Sequence, residues 1–146
     1  MQLTIESLSI GYLQKNEYLV VCDGIQFSSS AGDLVGVIGS NGIGKSTFLR
    51  TLAGLQPPLN GSVSLDGQNI AGLSPKDLSR KISVVLTDPI ATKNLTVREL
   101  ISLGRQPYTN WLGTLSREDL TKIDQVICML QLENIQDRIC YELSDG

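Results

Sequence analysis

Histidine is missing altogether from the 146 residues. This excludes Cys/His zinc sites and every histidine-based catalytic triad for the sequence as it stands. Cysteine is scarce: Cys22, Cys128 and Cys140 are odd in number, widely spaced and form no CxxC pair. They read as isolated thiols rather than a disulfide or metal framework. No stretch approaches the roughly 20 consecutive apolar residues that cross a bilayer, and the opening MQLTIESLSI has neither the basic head nor the apolar run of a secretory signal. A cytoplasmic location is the expectation. Positive charge is also short, with 12 Lys and Arg against 15 Asp and Glu, a net charge of −3 and a pI near 4.8. Such a chain has no general attraction to phosphodiester backbones, and nucleic acid is not an expected partner.

What the sequence does contain is a globular composition, 41% hydrophobic, enough to bury the core of one domain or of part of one. Leu3 to Ile10 alternates as a strand does, and Tyr18 to Cys22 with Ile25 to Phe27 reads as a second strand, bent at Asp23-Gly24. Leu34 to Ile38 and Ile82 to Leu86 are near-continuous apolar runs, the pattern of central parallel strands buried on both faces. Between them, Lys45 begins a helix that puts Phe48, Leu49 and Leu52 on one face, with Gly54 placed to end it and Pro57-Pro58 to stop it. GSVSLDGQNI has the alternation and the Asp66-Gly67 pair of a hairpin, and Ser74-Pro75 marks a helix start. Beyond Asn94 the pattern turns helical. Thr96 to Glu99 is a capping box for a helix through Leu103, and Ser116 caps a longer helix with Leu120, Ile123, Ile127 and Leu130 at helical spacing. Tyr108 and Trp111, in the loop between, read as cover for a local core, and Arg98, Arg105 and Arg117 as solvated helix-face charges.

One motif carries chemistry. Gly39-Ser40-Asn41-Gly42-Ile43-Gly44-Lys45-Ser46 fits GxxxxGK[ST], for which a chance match in a chain this long is on the order of one in a few hundred. It follows an apolar run and opens a helix, as a phosphate loop must; a plain glycine-rich connector would need neither the lysine nor the hydroxyl. The glycines let backbone N–H groups turn inward, and with the positive end of the helix they form a concave anion site. In that arrangement Lys45 serves the β- and γ-phosphates, the Ser46 hydroxyl joins Mg²⁺ and Thr47 donates to the α-phosphate. The spacing implies nucleoside triphosphate binding.

GSNGIGKSTFLRTLAGLQPPLNGSVSLDGQNI resembles the phosphate-loop segment of the ATP-binding cassette (ABC) family of transporter ATPases, and the closing LSDG resembles that family's signature motif, usually LSGGQ. Within the family, NLTVRELISLGRQPYTNWLGTLSREDL is similar to ATPase subunits of importers for iron-siderophore, haem and cobalamin compounds. The resemblance implies an α/β P-loop NTPase fold with an antiparallel β-layer, an incomplete parallel core and a helical subdomain. Residues 1–95 would be the nucleotide-binding part and 96–146 the helical subdomain. It also implies ATP and Mg²⁺ as ligands, held by Gly39 to Thr47, with Tyr12 stacking on adenine in place of packing under the β-layer. Thr87 stands at the position of the family's Q-loop glutamine, which touches Mg²⁺ and the attacking water; it reads equally as the plain end of a strand, and its neighbour Asp88 as a substitute carboxylate. Ser144 and the backbone of Gly146 would contact the γ-phosphate held by a second subunit in a head-to-tail dimer, while Asp145 caps the helix that follows.

The implied setting is the cytoplasmic face of a membrane, with transmembrane permease subunits as direct partners and a substrate-binding protein as an indirect one. The resemblance also implies a Walker B aspartate, a catalytic glutamate and a switch histidine, none of which this sequence contains in place. The chain is therefore expected to be the N-terminal part of a longer ATPase domain, binding nucleotide weakly without hydrolysing it and exposing core edges that favour association. Two other readings are a cassette protein acting on nucleic acid or ribosomes, against which the acidic pI weighs, and a nucleotide-binding module without hydrolysis.

Overall fold

The computed structural model describes residues 2–15, 17–85 and 94–143. It divides into two compact units, Met1–Val84 and Val85–Gly146.

In the first unit, β1 (Gln2–Gln14), β2 (Glu17–Ser30), β3 (Asn60–Leu65) and β4 (Gln68–Asn69) form one antiparallel sheet in the order β2-β1-β3-β4. The expected bend at Asp23-Gly24 is present: the register steps from Leu8↔Ile25 to Ile10↔Cys22, so β2 spends one extra residue there. Asp66 (φ +50°) and Gly67 (φ +75°) close the β3–β4 hairpin with the two positive φ values of a type I′ turn. Ile5, Leu8 and Ile10 from β1 and Val63 and Leu65 from β3 supply the buried core, completed by Ile70. Helix α1 (Lys45–Leu52) packs Phe48 and Leu52 against that core, whereas Leu49 points away and is half exposed. Gly54 takes the left-handed conformation expected just beyond the helix (φ +70°). Helix α2 (Pro75–Ser79) starts as expected, the Ser74 hydroxyl accepting from the Asp77 N–H at 3.1 Å.

Two expectations fail in this region. Leu34 to Ile38 belongs to no strand, and Leu34 and Ile38 are fully exposed. Ile82 to Val85 is likewise outside any ladder, with Val85 bare; Leu86 lies outside the described residues. A doubly buried strand needs a neighbour on each edge to take its N–H and C=O groups and a layer on each face to take its side chains. Among the described residues no strand pairs with either run.

The second unit contains α3 (Val97–Leu103) and α4 (Arg117–Met129), both opened by capping boxes. Thr96 Oγ1 accepts from the Glu99 N–H at 3.2 Å while the Glu99 carboxylate accepts from the Thr96 N–H at 2.8 Å. Ser116 and Asp119 repeat the exchange at 3.2 and 2.9 Å. Such caps are each worth about 1 kcal/mol. The buried stripe of α4 is Asp119, Ile123 and Ile127, an i, i+4, i+8 row. Leu120 and Leu130, expected on it, are exposed, because the stripe runs one residue N-terminal of Leu120 and the last turn ends before Leu130 can reach it. No helix among the described residues is long and apolar enough to cross a membrane.

Candidate functional site

The chain between β2 and α1 forms no regular element, and it ends in Gly44, the N-cap of α1. Gly44 sits at φ +107°, in the left-handed region, and a Cβ there would lie 2.2 Å from Val21 Cγ1. The loop is pressed against β2 at a point where any side chain would push it off. This is the physical reason for glycine as the fifth residue after Gly39, since both the backbone conformation and the close approach forbid a Cβ.

The start of α1 differs from those of the other α-helices among the described residues. Gly44 has no side chain to accept a hydrogen bond, and there is no acidic residue in the first turn. The N–H groups of a first helical turn have no intrahelical partner, so this end keeps its donors and its partial positive charge for an outside anion. Lys45 adds a full charge: its Nζ donates to the carbonyls of Gly39 and Ser40, both at 2.8 Å. The ammonium is folded back over the loop by these two carbonyls, which fixes it where the anion would sit. Ser46 is exposed on the first turn, and Thr47 is partly buried. Gly39, Ser40, Asn41, Gly42 and Ile43 are all exposed. Gly39 through Thr47 thus form one contiguous segment leading into α1, with the Lys45 ammonium bonded back to its first two residues.

Tyr12 lies on β1 opposite Leu19 and is 46% exposed. It is two residues along β1 from Ile10, whose side chain approaches the same Gly44 position. The residue before Tyr12 is Gly11, where a Cβ would lie 2.1 Å from the Leu19 carbonyl oxygen, and the Gln56 side-chain amide donates to the Gly11 carbonyl. Val21, Ile10 and Gln56 therefore position the loop and the tyrosine. No local signal marks them beyond the small residue at Gly11, because their contacts span up to 45 residues. A cavity of about 460 Å³ lies at the other end of α1, walled by Gly54, Leu55, Pro57, Leu78 and Ile82 among others, with no charged residue in its lining. It offers nothing to a phosphate.

Thr87, Asp88, Ser144, Asp145 and Gly146 fall outside the described residues. In the second unit, Arg105 is not the solvated charge expected. Its side chain is 17% exposed, its Nε and a terminal nitrogen bond Asp119 Oδ1 at 2.8 and 2.7 Å, and its guanidinium carbon sits 3.9 Å from the Tyr108 ring centroid. Asp119 also accepts from the hydroxyl and N–H of Ser116, and these bonds, with Arg105, hold its carboxyl down to about 2. Arg98 is likewise engaged, with Asp124 and Gln136, whereas Arg117 is exposed as expected. Trp111 is 91% exposed and covers no local core.

Comparison with known proteins shows the family. A probable siderophore transport system ATP-binding protein from Bacillus subtilis, YusV, is 38% identical over 144 residues, covering 99% of this chain and 51% of that protein. The iron(3+)-hydroxamate import ATP-binding protein FhuC of the same species is 36% identical over 144 residues, covering 99% and 52%. The chain spans about half the length of these curated relatives. A crystal structure of a nucleotide-free ATP-binding cassette from an ABC transporter superposes with a TM-score of 0.80 at 26% identity, over 99% of this chain and 60% of that one, and it shares the α/β P-loop fold. Residues 22–146 match the profile of the ABC transporter family, and with the loop, lysine and relatives in agreement, the chain belongs to that family.

Proposed function

We propose that this chain is the nucleotide-binding part of the ATPase subunit of an ABC importer, with an iron-siderophore or related metal chelate as cargo. The observation that carries the reading is the start of α1: an uncapped helix end without acid, with the Lys45 ammonium bonded to the carbonyls of the loop that precedes it. That is a site built to take phosphate oxygens. The names of YusV and FhuC supply the class of cargo. In this assignment residues 1–95 are the nucleotide-binding part and 96–146 the helical subdomain.

The chain's own residues act by binding and orienting ATP. Incoming phosphate oxygens compete with the Gly39 and Ser40 carbonyls for the Lys45 ammonium, and the backbone N–H groups of the loop take the remaining oxygens. Tyr12 offers its half-exposed ring to adenine. The exposed Ser46 hydroxyl is a hard oxygen donor and fits Mg²⁺, with Thr87 as a second holder; when bound, the ion neutralises charge on the phosphates. Ser144 and Gly146 serve the nucleotide of a second subunit in a head-to-tail dimer, and permease subunits hold the dimer at the cytoplasmic face of the membrane.

Titration with a fluorescent ATP analogue tests the site. Lys45→Ala should weaken binding about ten- to a hundredfold, equivalent to the loss of a charge-assisted contact worth about 1.5–3 kcal/mol. Equal affinity in the two proteins would refute it. For the cargo, cells lacking the gene should lose ferric-siderophore uptake and regain it with the wild-type gene but not with Lys45→Ala; normal uptake in the deletion strain would refute that part.

A further inference from the structure

The two ends of α1 are each tied to β1. At the start of the helix, Gly44 lies against Val21 and Ile10. Val21 is the extra residue of a second bulge in β2, since the register steps from Ile10↔Cys22 to Gly11↔Val20. At the far end, the helix closes in a left-handed turn: the Gly54 N–H donates to the Thr51 carbonyl at 3.1 Å and the Leu55 N–H to the Arg50 carbonyl at 2.9 Å. These are the paired bonds of a Schellman motif, and they set the direction in which Gln56 leaves the helix.

Gln56 then takes the place of a backbone donor. On the edge of β1 that faces β3, the ladder ends with Ser9 opposite Asn60, and the Ser9 carbonyl accepts from the Leu59 N–H at 2.8 Å. The carbonyl two residues further along the same edge is that of Gly11, which is buried. The chain just before Leu59 cannot serve it, because Pro57 and Pro58 have no N–H. A buried carbonyl needs a donor, and the Gln56 side-chain amide supplies one through Nε2. The Gly11 carbonyl and the Tyr12 N–H belong to one planar peptide group, so holding the oxygen holds the plane from which Tyr12 departs.

We propose that Gln56 is a positioning residue for the base of the nucleotide: by bonding the Gly11 carbonyl it fixes Tyr12 relative to α1, the helix whose other end takes the phosphates. This rests on the reading of the site as a nucleotide site with Tyr12 against adenine. Gln56 touches no nucleotide and acts through the Gly11–Tyr12 peptide. The base half of the affinity therefore depends on Gln56, and the phosphate half does not. A leucine at position 56 fills similar space without a donor, whereas a lysine keeps one.

Calorimetric titration of the whole chain with ATP and, separately, with inorganic triphosphate reads the two halves apart without any turnover. Tyr12→Ala should weaken ATP binding about five- to a hundredfold, the loss of one stacked base, and leave triphosphate binding unchanged. Gln56→Leu should weaken ATP binding about three- to tenfold, again with triphosphate unchanged, and Gln56→Lys should stay within about twofold of the wild type. In the Tyr12→Ala background, Gln56→Leu should have no further effect. Unchanged ATP affinity in Gln56→Leu, an equal fall for ATP and triphosphate, an equal loss in Gln56→Lys or an additive loss in the double variant would each overturn the proposal. Lys45→Ala separates it from the nucleotide assignment, because that change should weaken both ligands. If Lys45→Ala weakens neither, the assignment fails and the proposal with it; if it weakens both while Gln56→Leu leaves ATP binding intact, only the role of Gln56 is lost.

Discussion

The N-terminus of α1 and those of α3 and α4 are built from opposite choices. At α3 and α4 a hydroxyl and a carboxylate from the helix's own first turn occupy the free N–H groups, so each helix end is closed. At α1 the cap is a left-handed glycine with no side chain and no acid follows it, so the end stays open. A helix end that satisfies itself contributes stability and is inert to ligands. One that does not gives up about 1 kcal/mol of capping and gains an anion site. The same element thus closes its own end at α2, α3 and α4 and leaves it open at α1, and the residue at the N-cap decides which.

The largest effect that would test this contrast comes from adding a single methyl group at the open end. Gly44→Ala should abolish measurable nucleotide binding and lower unfolding stability by about 1–3 kcal/mol in denaturant titration, because the backbone is left-handed and the Cβ meets Val21. Combining it with Val21→Ala should recover part of the stability, a coupling of at least about 0.5 kcal/mol. Retained binding in Gly44→Ala would break the comparison.

A closed end should instead show its worth as acid stability. Because the folded-state value of Asp119 lies near 2, below its ordinary 3.8, its contribution is complete above pH 4 and is lost as pH falls from there through 2. Asp119→Asn should lower the thermal midpoint at pH 7 and flatten its decline between pH 4 and 2; a parallel decline in both proteins would show that the Ser116–Arg105 cluster is not the source.

The smallest effects sharpen the contrast most directly. Thr96→Ala should cost about 1 kcal/mol. Ser46→Ala, at the open end, should change stability by less than about 0.5 kcal/mol while weakening the Mg²⁺ dependence of nucleotide binding. Equal stability losses from the two substitutions would mean that both ends are structural.

Much of the fold and of the site was legible because its signals are local. The phosphate loop, the Asp66-Gly67 turn and the caps at Ser74, Thr96 and Ser116 each act over two to eight residues, so the residues that need one another are neighbours in sequence. Helix faces were legible only in part. Leu49 and Leu120 have the spacing of core positions, yet the core lies to one side of them, and Asp119 takes the buried place because Arg105 and Ser116 satisfy its charge. The apolar runs at Leu34 to Ile38 and Ile82 to Val85 were misread for a related reason. Composition states that a segment can be buried, not that anything is there to bury it.

By itself, then, the sequence determined the family, the phosphate loop and where three of the four α-helices among the described residues close their own ends, since those properties are written in short motifs whose physics is complete within a turn or two. Tertiary structure alone decided that Gly44 is pinned by Val21, that Arg105 is sheltered against Asp119, and that Arg98 is bonded to Gln136 and Asp124. Each of these depends on groups 14 to 38 residues apart, and only the folded chain brings such groups within hydrogen-bonding or van der Waals reach.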